Sequence, residues 1–233
     1  MSTPKILMVA TSAREMNNGE ATGVWLEELT TPYYAFKDAG ADVTLTSILG
    51  MEIPVDERSL SEDDKAPSVE RYLEDEDLQQ MVKNTPSFNS IDTDGFDAIF
   101  LPGGHGTMFD YPDNAELAAL ILKFDADGKV VSAVCHGPAG LVSATKADGR
   151  PLVEGRRVAG FTNSEEHAVG LADAMPFLLE SKLKDLGANH EAGPDFESFA
   201  VRDGNLITGQ NPASATETAT MVLDALAAME KAA

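Results

Sequence analysis

Apolar residues fall into two patterns along this chain. Some form short, near-continuous runs, and others recur every third or fourth position. The run at 5–11 reads as a buried parallel strand, and 42–47, with Val43 and Leu45 alternating, as a second. Residues 98–101 and 130–134 read as further strands, and 157–162 as another short one. The stretch 23–39 carries Trp25, Leu29, Tyr33 and Phe36 at helical spacing and stops at Gly40. Further helices are expected over 114–125, capped by Asp113 or Asn114, over 176–186, stopped by Gly187, and over 212–231. Residues 199–202 and 206–208, joined through Asp203-Gly204-Asn205, read as a strand pair. Strands and helices alternate, so the class is α/β with a mainly parallel sheet. No internal repeat is found.

The segment 51–97 breaks this rhythm. It is polar, acidic and interrupted by Pro54, Pro67 and Pro86, with a helical stretch near 75–83. It reads as a lid-like insertion in one domain spanning 1–233. That length can bury a sizeable core without staples.

Charge narrows the partners. Seventeen basic against 39 acidic residues give a net charge of −22. Such a surface repels nucleic acid and anionic lipid, and no basic cluster offers a phosphate pocket. No apolar stretch is long enough to span a bilayer, and the N-terminal run is too short for a signal peptide. A cytoplasmic protein is expected.

Cys135 is the single cysteine, so no intramolecular disulfide framework exists. A lone cysteine in a chain of this size is usually a small buried hydrophobe. Its context points elsewhere. A β-branched run ends at Cys135, and His136-Gly137-Pro138-Ala139 follow at once. That is the pattern of a sharp strand-turn-helix elbow, with small residues, Ala133 and Gly137, two positions either side of the apex. A sulfur there is expected to be exposed, to face a helix N-terminus and to titrate below an ordinary cysteine.

Ligands on parallel sheets bind at the carboxyl ends of strands, and Leu101, Cys135 and Thr162 all lie at such ends. Gly103-Gly104-His105-Gly106 lacks the spacing of a dinucleotide fingerprint and the lysine of a P-loop. An N–H from this loop and that of His136 could together form an oxyanion hole beside the sulfur. His136 needs a carboxylate to hold its tautomer. Glu166 is the first choice and Glu165 the second, with a solvated surface acid the ordinary reading for one of them. His105 is a candidate pocket-lining residue. His167 and His190 read as surface or packing residues. Glu28 reads as a surface charge on the first helix when taken alone.

Four motifs together carry a resemblance. They are Thr22-Gly23-Val24-Trp25-Leu26-Glu27-Glu28, Leu101-Pro102-Gly103-Gly104-His105-Gly106, Ala133-Val134-Cys135-His136-Gly137-Pro138 and Gly160-Phe161-Thr162-Asn163-Ser164-Glu165-Glu166. In this order the chain resembles the ThiJ/PfpI superfamily over nearly its whole length. Pro54-Val55-Asp56 and the stretch from Leu206 to Ser214 join the likeness. The resemblance implies a flavodoxin-like sheet sandwiched by helices, like class I glutamine amidotransferases. The details are similar to the heat-shock-chaperone branch that includes glutathione-independent glyoxalase III enzymes.

By that resemblance Cys135 is the nucleophile, His136 its base and Glu166 the acid that orients it. Glu28 is implied to be the buried glutamate that hydrogen-bonds the thiolate. The implied reaction converts methylglyoxal or a related 2-oxoaldehyde to a 2-hydroxy acid, with no metal and no other cofactor. Gly104 and His136 N–H groups would hold the oxyanion. A homodimer is implied, and stress, repair or chaperone roles are claimed for relatives. Two other classes stay open: a cysteine amidase or peptidase, and a chaperone or redox sensor acting through Cys135 oxidation.

Overall fold

Strand β1 (Lys5–Ala10) is buried at every position after Lys5, as its unbroken apolar run requires. The structure is a computed structural model that describes residues 3–61 and 65–232. After β1 come α1 (Leu26–Asp38) and β2 (Asp42–Ser47), then α2 (Pro67–Glu74) and α3 (Glu76–Lys83). β3 (Ala98–Leu101), α4 (Thr107–Asp110), α5 (Ala115–Ala126) and β4 (Val130–Val134) follow. The rest is β5 (Arg157–Val158), α6 (Asn163–Ala168), α7 (Leu179–Asp185), β6 (Asn189–His190), β7 (Ala200–Asp203), β8 (Leu206–Gly209) and α8 (Ala215–Ala232).

The main sheet runs β2-β1-β3-β4-β8-β7. Every pairing is parallel except the β7–β8 hairpin. Alternate strand residues feed two cores, as the two-residue period of a strand demands. Leu7, Ile99 and Val131 pack with Leu117, Ile121 and Phe124 of α5 on one face. Ile6, Phe100 and Val134 pack with Leu29 and Phe36 of α1 and Val222 of α8 on the other. This is the flavodoxin-like sandwich that the resemblance implies. Among the described residues, no helix is long and apolar enough to cross a membrane.

Several boundaries differ from the sequence reading, each for a local reason. α1 starts at Leu26 because Gly23–Trp25 is held in other bonds: Val24 N–H donates to Pro54 O at 2.8 Å and Trp25 N–H to Gly103 O at 3.1 Å. Asn114 is the cap of α5, accepting from Leu117 N–H at 2.9 Å. The strand expected at 157–162 is only Arg157–Val158, paired with β6 in a separate two-stranded sheet. Beyond it, Ala159 N–H donates to the Thr208 hydroxyl at 2.7 Å and Phe161 N–H to Cys135 O at 2.9 Å. Those bonds bend the chain across the elbow.

The 51–97 segment packs against α1 through α2. Tyr34 donates its hydroxyl to Asp75 at 2.9 Å, and the Arg71 guanidinium sits 3.9 Å over the Tyr34 ring. Glu62, Asp63 and Asp64, part of its acidic run, lie outside the described residues.

Candidate active site

Cys135 closes β4 with φ of +59°, a left-handed conformation that costs a non-glycine residue about 1–2 kcal/mol. The elbow is close-packed. A Cβ on Gly137 would lie 2.3 Å from Leu101 O and 3.4 Å from the Ala133 Cβ, so bulk is excluded on both sides of the apex. A short 3₁₀ turn, Gly137–Leu141, follows.

Two expectations for the sulfur are corrected here. Cys135 is 3% exposed, not open to solvent. Burial pushes its thiol well above the ordinary range, and its interaction with Glu28 and the charges of Glu165 and Glu166 add to the rise. The resting group is a thiol that needs a base.

That base is in place. His136 Nδ1 lies 3.2 Å from Cys135 Sγ, and His136 Nε2 lies 2.7 Å from Glu166 Oε2. The positive φ at Cys135 is what turns two adjacent side chains toward one another. Burial opposes ionisation of Glu166, but hydrogen bonds from His105 and His136 outweigh it and hold the carboxyl well below the usual range. An ionised carboxylate only accepts, so His136 carries its proton on Nε2. In the neutral ring the Nδ1 lone pair then faces the sulfur. Phe161 stacks against the imidazole, with centroids 4.4 Å apart.

His105 belongs to the same network. Its Nε2 lies 2.9 Å from Glu166 Oε1, and its Nδ1 is 3.5 Å from an Arg58 nitrogen. A guanidinium can only donate, so both neighbours select the same tautomer, with the proton on Nε2. Burial first, then the charges of His136 and Arg58, lowers His105 to about 4 against the pull of Glu166. Arg58 is anchored on buried Asp56, at 2.8 Å to Oδ1 and 2.5 Å to Oδ2.

Glu28 is fully buried, which corrects its reading as a surface charge. Its Oε2 accepts from Gly103 N–H at 2.9 Å. Its Oε1 has no conventional hydrogen-bond partner, and the Cys135 thiol is the side chain it interacts with. Burial, with a smaller push from Glu27, raises the Glu28 carboxyl well above its ordinary value, outweighing the bonds to Cys135 and Gly103. With Oε2 accepting, the proton of the neutral acid sits on Oε1.

Glu165 is also fully buried, not a solvated acid. Its Oε2 accepts from Thr162 N–H and Oγ1 at 2.9 and 3.0 Å. Its Oε1 accepts from Phe196 N–H at 2.8 Å, Gln210 Nε2 at 3.1 Å and Asn211 Nδ2 at 2.8 Å. It holds loops, and it does not bond His136. His167 is exposed and His190 is partly buried, and neither lines the Cys135 cavity.

The N–H groups of Gly104 and His136 have no protein acceptor among the described residues. A Cβ on Gly103 would fall 2.7 Å from His136 N, and one on Gly104 2.4 Å from Trp25 N. The loop is packed too closely for a side chain at either glycine, and Gly104 and His136 both line the cavity over Cys135. Above the sulfur is a cavity of about 130 Å³ whose walls include Trp25, His105, Phe161, Val169, Phe196 and Pro212. It admits a molecule of a few heavy atoms and excludes a folded polypeptide.

Ligand atoms of His105, His136 and Glu166 lie within 4.8 Å of one another, so a metal ion would fit there. Those atoms already bond one another, and a metal would occupy the nitrogen through which Glu166 holds His136. Sequence reasoning missed Arg58, the burial of Glu165 and the place of Phe196. The one signal was turn-forming Gly193-Pro194-Asp195 before Phe196.

An elbow cysteine with a neighbouring His and a carboxylate, at the carboxyl edge of a flavodoxin-like sheet, defines a class of cysteine-centred α/β protein. The DJ-1/PfpI family model matches residues 21–225, and the chain belongs to that family. It is 34% identical to glutathione-independent glyoxalase HSP31 of Saccharomyces cerevisiae, over 97% of this chain and 99% of that one. The crystal structure of glyoxalase III from Candida albicans superimposes with a TM-score of 0.87 at 31% identity, covering 95% and 97% of the two chains. Rapid Encystment Protein 24 KDa of Francisella tularensis gives 0.92 at 38% identity, covering 96% and 99%.

Proposed function

We propose that this protein is a glutathione-independent glyoxalase that converts methylglyoxal, or a similarly small 2-oxoaldehyde, to the 2-hydroxy acid. The observation that carries the reading is the unbroken chain Cys135–His136–Glu166 under a small apolar-walled cavity, with the buried Glu28 carboxyl beside the sulfur. Two relatives matching nearly the full length carry the glyoxalase name.

The sequence of steps follows from the proton positions. His136 Nδ1 takes the Cys135 proton as sulfur bonds to the aldehyde carbon, and Glu166 stabilises the imidazolium. The Gly104 and His136 N–H groups receive the alkoxide. His136 returns that proton to the alkoxide, giving the hemithioacetal and a neutral imidazole. The imidazole then takes the proton from that carbon and delivers it to the neighbouring carbonyl carbon, while the hydroxyl proton passes to the neighbouring oxygen, and the hemithioacetal becomes a thioester. Water then cleaves the thioester, frees the thiol and releases lactate. The net change is addition of one water to methylglyoxal, so no external oxidant or reductant is needed.

The same reading includes a cytoplasmic homodimer with no nucleic-acid or membrane partner. The 51–97 insertion is its lid-like flank and brings Arg58 to His105. The deciding experiment presents methylglyoxal, glyoxal and a panel of amide substrates to one preparation without glutathione. Lactate from methylglyoxal with no amide cleavage supports the proposal. The opposite pattern would make the protein a cysteine hydrolase.

A further inference from the structure

Phe196 is costly to the fold in two ways. Its φ of +59° lies in the left-handed region, a poor conformation for a bulky side chain. It is also 48% exposed, so the ring recovers only part of its transfer free energy. A glycine would remove the first cost, and a polar residue the second. Yet the segment is firmly held. Phe196 N–H donates to Glu165 Oε1 at 2.8 Å, Gly193 N–H to Gln210 Oε1 at 2.8 Å, and Asn211 Nδ2 to Glu197 O at 2.8 Å. Glu165, Gln210 and Asn211 are all fully buried, so the loop stands on a rigid polar platform. What that platform presents is an aromatic ring in the wall of the Cys135 cavity, edge-on to Phe161 at 6.3 Å.

We propose that Phe196 is a specificity-determining residue whose ring limits the cavity to 2-oxoaldehydes with a small substituent. This rests on the glyoxalase reading for its substrate class. The steric claim does not depend on that reading, because Cys135 is the single cysteine and its alkylation reports access directly.

The test uses Phe196→Gly and Phe196→Asn, both at home at positive φ, and Phe196→Tyr, which keeps the ring. Two ratios are measured in each: kcat/KM for phenylglyoxal over methylglyoxal, and the alkylation rate of Cys135 by iodoacetanilide over iodoacetamide. Both ratios are expected to rise at least about tenfold in the Gly and Asn variants, the scale on which a pocket wall discriminates, and to stay within about twofold in the Tyr variant. If Gly loosens the loop and lowers the melting temperature, the Asn variant decides. Ratios unchanged in Asn, or raised equally in Tyr, would overturn the proposal. If no variant and no wild type turns over either aldehyde, the glyoxalase reading fails while the alkylation ratio still judges the ring.

Discussion

Glu166→Gln is the substitution whose effect follows most directly from the hydrogen bonds. Glu166 accepts one N–H from His136 at 2.7 Å and one from His105 at 2.9 Å. A glutamine offers one acceptor and one donor, so one of the two imidazoles must change tautomer. If His105 changes, its Nδ1–H points at the Arg58 guanidinium, donor against donor. If His136 changes, its Nδ1–H points at a sulfur that can accept it. The second is the cheaper outcome, and it removes the base. The variant also loses a charge-assisted bond worth about 1.5–3 kcal/mol, which converts to roughly 10–100-fold. The expected result in steady-state methylglyoxal kinetics is a kcat lower by that factor, with KM moving less. Arg58 supplies an internal check. In an Arg58→Met background His105 is free to change tautomer, so Glu166→Gln should cost less there than in wild type. A kcat within twofold of wild type for Glu166→Gln, or an identical loss in both backgrounds, would refute the tautomer argument.

Glu165→Gln should act on stability, because an amide N–H2 would face donors on either side. Urea unfolding should show a loss of about 2–5 kcal/mol, from one or two unsatisfied buried groups, and a loss under 0.5 would contradict its anchoring role. His105 titrates lower in the folded chain, about 4, than its ordinary 6.5, so the folded state binds fewer protons between those values. Its contribution is therefore complete above pH 6.5 and lost as pH falls toward 4, by about 3 kcal/mol. His105→Gln should flatten the decline in unfolding free energy between pH 6.5 and 4.5 relative to wild type. Iodoacetamide alkylation of Cys135 should climb with pH beyond the ordinary cysteine value of about 8.5, since burial raises the thiol. A rate plateau below pH 7 would contradict that direction.

The sheet and the elbow were legible because each is written locally: strand runs alternate with helical spacing, and small residues flank Cys135. The pairing of His136 with Glu166, across 30 residues, was legible only through the family's motifs. What was illegible depends on distant contacts. Glu28 meets Gly103 across 75 residues of chain, and Arg58 meets His105 across 47. No window of sequence shows that α1 turns Glu28 toward the end of β4. The acidity expected of Cys135 failed for the same reason. An elbow specifies the backbone at the sulfur, while the loops around Phe161 and Phe196 decide whether water reaches it. Glu165 and Glu166 look equivalent in sequence. Thr162 separates them, because its capping box turns Glu165 back onto the helix start and leaves Glu166 facing the imidazoles.

The central claim is that Cys135 carries glutathione-independent turnover. Its most direct test follows lactate formation from methylglyoxal, without glutathione, by wild type and Cys135→Ala in parallel, with the melting temperature of each. Wild type should form lactate, and Cys135→Ala should form none while melting close to wild type. Lactate from the alanine variant at the wild-type rate, or none from the wild type, would contradict the claim.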